Sequence, residues 1–442
     1  MLKVKPSKYN LVVDTQPNGT ILLFNTFSTA LCLLDGTKQE LLKEAQYNID
    51  EINFNDKEAI NQMLSMGFLV EQEMDERQRL ELRQNQVRYG GKSLSLTIGP
   101  TLNCNMCCPY CFEGERHQAM TEETAEKLAC FLKDYIERKK IEFVGITWYG
   151  GEPLLELRRI EQISNQLIPF CEERNIPYSA IIVTNGYRLD RDNAELLKSL
   201  KVDHAQITID GLAETHNSRR KLKDGGGSFW PIVKNIESVK DIINISIRVN
   251  VDKENMKEID ALTDFFMDDM KWGKNPTFYL APVEKTTDVC GADLDSCLSP
   301  DEFSALYQDT LEKMFRHGIT EIVQQNYPAY SDMGCASICL NSFVIDANGY
   351  FYTCWNYFGD SSKSIGHLDE PDKIGLHGDY LHWMTVPLPE KCRDCVYLPL
   401  CQGGCPDKRI KNQNQAVCSY HHLMYVENLK LAFREYTAKK SP

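Results

Sequence analysis

Short apolar runs and longer amphipathic stretches alternate through the middle of the chain, from Ser93 to about Val283. The apolar runs are predicted strands, and the stretches between them have the 3.6-residue period of amphipathic helices. The predicted strands are 94–98, 142–148, 179–183, 204–209, 244–250 and 277–280, and the helices include 121–139, 155–174, 192–200, 229–240 and 258–270. Repeated β–α alternation indicates a parallel sheet. Six units are two short of a closed eight-stranded barrel, so we predict an α/β fold with a partial (β/α)6 barrel.

The N-terminal region has a different pattern. Apolar runs at 11–13 and 21–24 flank Asn18-Gly19, which predicts a β-hairpin. Helical patterns follow near 27–34, 38–45 and 56–66, a strand is predicted at 67–70, and charged residues 71–88 resemble a linker helix. A hairpin packed on three helices is typical of a small winged-helix domain. We therefore predict a winged-helix-like domain over residues 1–85 and the partial barrel over residues 86–298.

The C-terminal third divides into two further predicted segments. A capping box at Ser299 and Glu302 begins a helix, so residues 299–334 are assigned to a bridging helical segment. Residues 335–442 contain eight cysteines and little regular periodicity. A small, loop-rich module of this kind is best explained by bound metal that holds it together.

Polar, glycine-rich and cysteine-rich motifs follow the predicted strands at the points where they end. The cysteines 104–111 follow the first strand, and the later strands are followed in order by Gly150-Gly151-Glu152-Pro153, Thr184-Asn185-Gly186, Asp210-Gly211 and Asn250. In barrel-like β/α folds the carboxyl ends of the strands carry the active site. The sequence therefore predicts an active site at this rim of the sheet.

Composition and charge exclude several classes of function. The net charge of −14 argues against a nucleic-acid-binding surface, which needs clustered basic residues. No apolar run approaches the ~20 residues of a membrane span, and the N-terminus lacks the apolar stretch of a signal peptide. We therefore expect a cytoplasmic protein without membrane or nucleic-acid partners. In a reducing cytoplasm the 17 cysteines do not suit a disulfide framework, so they indicate metal binding.

Three cysteines on one predicted loop, Cys104, Cys108 and Cys111, are spaced C-x₃-C-x₂-C. A [4Fe–4S] cube takes four ligands, so three loop thiolates leave one iron open to a substrate or cofactor. A structural zinc site would lack its fourth ligand and would leave the Gly150–Pro153 motif unexplained. With these motifs, the chain resembles the radical S-adenosylmethionine (SAM) superfamily from residue 94 to about residue 283.

This resemblance implies roles for further residues. Tyr110 would lie against the SAM adenine, and the segment formed by Gly150, Gly151, Glu152 and Pro153 would receive the SAM amino group. Asp210 would line the SAM site, and Arg220, or the adjacent Arg219, would pair with the SAM carboxylate. The implied reaction is reductive cleavage of SAM to methionine and a 5′-deoxyadenosyl radical, which removes a hydrogen from an unactivated C–H bond. An external electron donor such as flavodoxin or ferredoxin is therefore expected.

The C-terminal cysteines resemble the seven-cysteine SPASM signature, so a C-terminal SPASM domain is predicted. The resemblance implies two auxiliary clusters, and with the first cluster three [4Fe–4S] clusters in all. One auxiliary cluster would use Cys392, Cys395, Cys401 and Cys418, and the other Cys339, Cys354 and Cys405, with Cys335 as a candidate fourth ligand. If Cys335 does not ligate, that cluster keeps an open iron that could bind a substrate thiolate. A zinc ribbon is the alternative for the C-x₂-C pair.

The complete pattern resembles radical SAM/SPASM maturases of ribosomally made peptides. In those enzymes an N-terminal domain binds a leader peptide as an added strand at a sheet edge. A precursor peptide is therefore the expected partner. The expected product is a thioether between a peptide cysteine and a carbon of another residue, and a carbon–carbon crosslink is the competing product.

Two other functions remain as alternatives. Anaerobic sulfatase maturases carry an aspartate base directly after the cysteine that corresponds to Cys354, where this chain has Trp355. A non-catalytic Fe–S electron-transfer or sensor protein would need neither the Gly150–Pro153 motif nor Arg220. An assay for SAM cleavage distinguishes an enzyme, which cleaves SAM, from an electron-transfer or sensor protein, which does not.

Overall fold

The computed structural model describes residues 3–43, 47–48, 54–114, 117–287, 290–291, 293–330, 334–376 and 378–440. The chain forms two compact units. Unit 1 comprises Met1–Gly90, Thr320–Cys335 and Val386–Pro442, and unit 2 comprises Gly91–Ile319 and Ala336–Thr385. No helix in the described residues is both long and apolar enough to span a bilayer.

Unit 1 begins with two three-stranded antiparallel sheets and three helices. Their elements are β1 (Lys3–Pro6), β2 (Asn10–Thr15), β3 (Ile21–Asn25), β4 (Leu31–Leu34), α1 (Gly36–Lys43), β5 (Tyr47–Asn48), α2 (Phe54–Ser65), β6 (Leu69–Glu71) and α3 (Glu76–Gly90). One sheet has the order β5-β1-β6 and the other β2-β3-β4. The predicted hairpin is confirmed as β2–β3, and the helix predicted near 56–66 is confirmed as α2. The helix predicted near 38–45 is confirmed as α1 up to residue 43, and residues 44–45 lie outside the described residues.

The helix predicted near 27–34 is wrong. Leu31–Leu34 is strand β4, which pairs with β3 and forms the edge of its sheet. Thr29 has a φ of 61°, and the Asn25 N–H donates to the Ala30 carbonyl at 2.9 Å, so a tight turn precedes the strand. The apolar run Leu-Cys-Leu-Leu is compatible with either a strand or a helix, and pairing with β3 decides the outcome. The winged-helix assignment of residues 1–85 stays a prediction.

Unit 2 contains all six of the predicted parallel strands, which lie side by side in chain order. They are β7 (Ser93–Ile98), β8 (Phe143–Trp148), β9 (Tyr178–Thr184), β10 (Val202–Thr208), β11 (Asn244–Val251) and β12 (Thr277–Pro282). The helices are α4 (Glu122–Lys139), α5 (Leu157–Glu173), α6 (Arg191–Ser199), α7 (Ala213–Arg219), α8 (Phe229–Val239), α9 (Ile259–Asp264) and α10 (Pro300–Arg316). The capping box of Ser299 and Glu302 begins α10 as predicted.

The two faces of this sheet differ in burial. Ile207, Ile247 and Phe278 are buried, and Phe278 packs on Phe266 directly after α9 with ring centroids 5.0 Å apart. Residues between these positions, such as Gln206, are only partly buried. Right-handed crossovers between consecutive parallel strands place every helix on one side of the sheet. We call the opposite side of β7–β12 the inner face.

Three further strands extend the sheet beyond β7. They are β13 (Ser342–Ile345), β14 (Tyr350–Tyr352) and β15 (Gly366–His367). β13 runs parallel to β7, whereas β14 and β15 are antiparallel, so the sheet is mixed and has nine strands. The sequence predicted no strands here. The α/β fold itself is confirmed.

The remaining helices belong to both units. They are α11 (Glu321–Asn326), α12 (Gly378–Thr385), α13 (Leu398–Cys401), α14 (Pro406–Lys411) and α15 (His421–Lys440), and all but α12 lie in unit 1. The N-terminal strands share an apolar core with α15, because Val13, Leu22 and Phe24 pack with Leu429. The domain boundaries and the SPASM assignment made from the sequence stay predictions.

Candidate active site

The cysteine loop, residues 101–114, follows β7 and carries the predicted ligands Cys104, Cys108 and Cys111. It is held against residues 221–222, because Met106 bridges to Leu222. The three ligand sulfurs do not all lie within 4.8 Å of one another. Tetrahedral zinc, with Zn–S bonds of about 2.3 Å, would hold sulfurs about 3.8 Å apart. The three sulfurs therefore do not stand at the spacing of a tetrahedral zinc site.

Burial raises the pKa of the thiols of Cys104, Cys108 and Cys111 and so favours their neutral form. Burial, together with the nearby Glu152 carboxylate, raises the pKa of Cys104 to about 12. Burial also raises the pKa of Cys108, although the Arg220 guanidinium opposes that rise. Metal ligation needs thiolates, so iron bound at this loop would add to the positive charge of Arg220 in stabilising them.

Gly150 and Gly151 allow the segment after β8 to approach the cysteine loop closely. A Cβ atom on Gly150 would lie 2.3 Å from the Thr101 carbonyl oxygen, and one on Gly151 would lie 2.3 Å from that of Asn103. Gly150 also has a φ of 113°, which side chains rarely adopt. The Gly151 N–H donates to the Thr101 carbonyl at 3.1 Å. The glycines therefore fix the position of the cysteine loop.

Glu152 connects this segment to the end of β9, while Pro153 begins the helical turn that follows. The fully buried carboxylate of Glu152 accepts hydrogen bonds from the Thr184 hydroxyl at 2.7 Å, the Asn185 N–H at 2.7 Å and the Leu154 N–H at 3.0 Å. Burial raises the pKa of Glu152, and these hydrogen bonds oppose the rise. The side chain that the resemblance assigned to SAM binding therefore also joins two strand ends.

Tyr110, Asp210 and Arg220 form one connected group. The Tyr110 hydroxyl hydrogen-bonds to the Asp210 carboxylate and accepts from Arg220 Nη1 at 2.7 Å. The Asn250 N–H donates to Asp210 Oδ1 at 2.9 Å. Burial would lower the pKa of Arg220, but Cys108, Tyr110 and Asp210 raise it well above its usual value. The structure thus brings the residues at the ends of β10 and β11, together with Arg220, beside Tyr110 of the cysteine loop.

The structure distinguishes Arg220 from its neighbour Arg219. Arg219 makes a buried bidentate ion pair with Asp252, at 2.9 and 2.8 Å. Arg220 has no such bidentate partner, because its Nη1 lies 3.9 Å from the Asp210 carboxylate, and its buried Nε, like that of Arg219, has no hydrogen-bond partner among the described residues. A buried donor of this kind fits an anionic group such as the SAM carboxylate. Arg220 is therefore the better candidate for that contact.

Two residues of this site had no role assigned from the sequence. Asn185 Nδ2 donates to Asn105 at 2.7 Å and lies 3.9 Å from the Cys104 sulfur. Its place in a strand-end motif was the signal that could have indicated it. Cys290 is buried, and its sulfur lies 3.4 Å from the Tyr110 carbonyl oxygen. It therefore packs behind the cysteine loop.

In unit 1, Cys392, Cys395, Cys401 and Cys418 lie close together. Burial raises the pKa of Cys392, and the charges of the other three raise it further. Gly404 has a φ of 76°, and a Cβ atom there would lie 2.8 Å from the carbonyl oxygen of Val417, directly before Cys418. These positions suit four ligands of one centre. Of the other predicted ligands, Cys335 and Cys405 lie in unit 1, and Cys339 and Cys354 lie in unit 2.

Residues 98–266 match the sequence model of the Radical SAM superfamily. The chain thus contains a radical SAM domain, and its maturase and synthase relatives indicate an enzyme. Such enzymes use a [4Fe–4S] cluster and SAM. The chain is 25% identical over 349 residues to a cysteine-type anaerobic sulfatase-maturating enzyme of Clostridium novyi, covering 73% of this chain and 90% of that enzyme. It is 24% identical over 493 residues to the radical SAM cyclopropyl synthase TigE of Paramaledivibacter caminithermalis, covering 97% of each.

Solved structures show the same fold. Native anSMEcpe with bound AdoMet and Cp18Cys peptide superposes with a TM-score of 0.62 at 19% identity, covering 78% of this chain and 98% of that chain. SuiB of Streptococcus suis bound to precursor peptide SuiA superposes with a TM-score of 0.51 at 18% identity, covering 95% and 98%. The resemblance to radical SAM peptide-modifying enzymes inferred from the sequence is confirmed.

Proposed function

We propose that this enzyme modifies a ribosomally synthesised peptide by removing a hydrogen atom from it. The arrangement at the strand ends carries the proposal, because the cysteine loop, the two glycines and Arg220 meet there. When bound, the cluster and SAM supply the 5′-deoxyadenosyl radical. TigE, which matches the chain over nearly its whole length, and SuiB, which binds the precursor peptide SuiA, support a peptide substrate.

The side chains of this site would bind and orient SAM. Arg220 would pair with the SAM carboxylate, and Asp210 keeps Tyr110 and Arg220 in place. Gly150 and Gly151 hold the cysteine loop in position, and Glu152 fixes both glycines relative to β9. Two auxiliary clusters, on the SPASM cysteines named above, complete the proposed set of three.

The test is SAM cleavage by anaerobically reconstituted enzyme with dithionite as reductant. We expect 5′-deoxyadenosine and methionine from the wild-type protein, and an altered mass of a precursor peptide when one from the neighbouring open reading frames is supplied. Absence of 5′-deoxyadenosine from protein with a full iron content would contradict the proposal and favour an electron-transfer or sensor function.

We propose a thioether as the product. A thioether and a carbon–carbon crosslink both remove two hydrogens, but only the thioether also blocks a cysteine against alkylation under reducing conditions. A peptide that loses the hydrogens and still alkylates fully would rule the thioether out.

Formylglycine formation is less well supported. Trp355, which is half exposed, occupies the position after Cys354, and its ring lies 5.8 Å from that of Tyr149 beside the glycine motif. An indole ring cannot accept a proton as a carboxylate does. Conversion of a sulfatase-derived peptide to formylglycine would overturn this reasoning.

We also propose that the leader peptide binds at the edge of β4. A groove of about 740 Å³ lies between β4, α11 and α15, and its lining is mainly apolar, including Leu31, Leu33, Tyr327 and Tyr436. β4 is the edge strand of its sheet, and Leu33 is 43% exposed. An added strand could pair with this edge and place alternate side chains in the groove.

Point variants test this site better than deletion of residues 1–85, because those residues share a core with α15. Leu33→Glu should weaken binding of the precursor peptide and leave SAM cleavage unchanged. Leu82→Glu is the matched control, since Leu82 is 59% exposed on α3 and does not line the groove. Equal precursor affinities of the two variants and the wild type would contradict the assignment.

A further inference from the structure

The inner face of the sheet presents side chains in successive rows below the cysteine loop. Asp210 and Asn250, at the carboxyl ends of β10 and β11, form the uppermost row. Two residues earlier, Thr208 and Arg248 are paired in register, and Tyr279 of β12 is paired with Arg248 on its other side. Two strand residues span about 6.7 Å. Arg248 therefore lies one step below the rim and between two neighbouring polar side chains.

Hydrogen bonds hold the Arg248 side chain in place. Its Nε donates to Asn250 Oδ1 at 2.7 Å, and the paired Tyr279 donates its hydroxyl to Gln206 at 2.7 Å. Burial raises the pKa of Tyr279, while the charge of Arg248 and its hydrogen bond lower it. The guanidinium is therefore fixed beside Tyr279, and its terminal nitrogens carry the remaining donors.

Arg248 forms no ion pair with a carboxylate of the described residues. Arg219 has Asp252 as an ion-pair partner and Arg220 lies near Asp210, but no carboxylate oxygen of the described residues lies within 4.0 Å of Arg248. The other inner-facing side chains of β9–β12 below the rim are uncharged, since burial lowers the pKa of His204 and keeps it neutral. A partly buried cation without a counter-ion is costly unless a ligand supplies the negative charge.

We infer that Arg248, with Tyr279 beside it, binds a carboxylate of the peptide substrate at the inner face. The carboxylate is an aspartate or glutamate side chain, or the peptide C-terminus. A planar guanidinium matches a carboxylate with two parallel hydrogen bonds, which fixes both the position and the orientation of the bound residue. The inference rests on the proposed peptide substrate and makes Arg248 a determinant of specificity.

The SAM carboxylate is the other source of the same chemistry. Arg220 already lies beside the cysteine loop with a buried unpartnered Nε, whereas Arg248 lies one row deeper. Replacing Arg248 distinguishes a peptide carboxylate from the SAM carboxylate. A peptide contact changes peptide selection alone, and a SAM contact changes SAM affinity.

The experiment uses a library of random 12-residue peptides, displayed on mRNA and selected against the anaerobically reconstituted, SAM-bound enzyme. Wild-type enzyme should enrich an acidic residue at one fixed position. Arg248→Gln should lose that enrichment, and Arg188→Gln should keep it, because Arg188 is exposed outside the inner face. The best selected peptide is then made synthetically, once with the acidic residue and once with the corresponding amide. The amide should bind the wild-type enzyme about tenfold or more weakly than the acid does, whereas the two peptides should differ less than twofold in their affinity for Arg248→Gln. Comparing free and amidated C-termini identifies a C-terminal contact.

Three outcomes overturn the inference. The first is selection of peptides without an acidic preference while the wild type still modifies its precursor, which leaves the proposed function intact. The second is an unchanged acidic preference in Arg248→Gln combined with a loss of SAM affinity, which assigns Arg248 to SAM. The third is wild-type enzyme that cleaves SAM but modifies no peptide, which overturns the proposed function as well.

Discussion

Replacing Gly151 with alanine perturbs the contact between the glycine motif and the cysteine loop. The added Cβ would lie 2.3 Å from the Asn103 carbonyl oxygen and 2.6 Å from that of Leu102. Both atoms belong to the backbone, so no side chain can rotate away. The two segments must separate by about 1 Å to reach ordinary van der Waals contact. Because the next residue along is Cys104, the displacement reaches the first cluster ligand.

A misplacement of about 1 Å can lower a rate about 100-fold, which corresponds to roughly 2.7 kcal/mol in the barrier. Overpacking should also cost about 1–3 kcal/mol of stability. We therefore expect Gly151→Ala to form 5′-deoxyadenosine about 100-fold more slowly, measured by liquid chromatography alongside iron content and thermal melting. Gly378→Ala is the matched control, because no atom of the described residues other than its chain neighbours lies within 4 Å of the position that its new methyl group would take. A Gly151→Ala enzyme with full iron content and a rate within twofold of wild type would refute the reasoning.

Three other perturbations test separate parts of the site. Replacing Cys104, Cys108 and Cys111 together by Ala should abolish SAM cleavage and leave the iron of the auxiliary clusters in place; zinc in pure anaerobic wild-type protein would contradict this. Arg220→Gln should weaken SAM binding about tenfold or more in a calorimetric titration. Arg219→Gln should instead lower the free energy of unfolding by about 3 kcal/mol, because buried Asp252 loses its ion-pair partner. The opposite result for the two variants would assign SAM binding to Arg219. Burial lowers the pKa of His216 to about 3 in the folded protein. Below about pH 6.5 the imidazole is therefore protonated in the unfolded state but still neutral in the folded state, so the free energy of unfolding falls as the pH falls. Relative to His216→Asn, wild type should lose about 1.4 kcal/mol between pH 7.5 and 5.5 in urea unfolding, and equal pH slopes would contradict this.

The sequence predicted the six strands of unit 2 because apolar runs and helical periods alternate there without interruption. β13 and β14 were missed although Asn348-Gly349 lies between their apolar runs, the same hairpin signal that located β2 and β3. Their pairing with β7 joins residues about 250 positions apart, which no local pattern reveals. The motifs predicted that the site lies at the carboxyl ends of the strands. They could not predict that Arg219 and Arg220 have different partners, because this depends on the position of Asp252 in the folded chain. Arg248 was likewise indistinguishable from any polar residue in an alternating strand.

The central claim is that a radical formed from SAM at the strand ends takes a hydrogen atom from a peptide. The most direct measurement supplies the enzyme with SAM, dithionite and the neighbouring precursor peptide, deuterated at its carbon positions, and determines the mass of the 5′-deoxyadenosine. The account predicts 5′-deoxyadenosine that contains a deuterium atom from the peptide, formed together with a loss of mass from that peptide. Deuterium-free 5′-deoxyadenosine beside an unchanged peptide would contradict it.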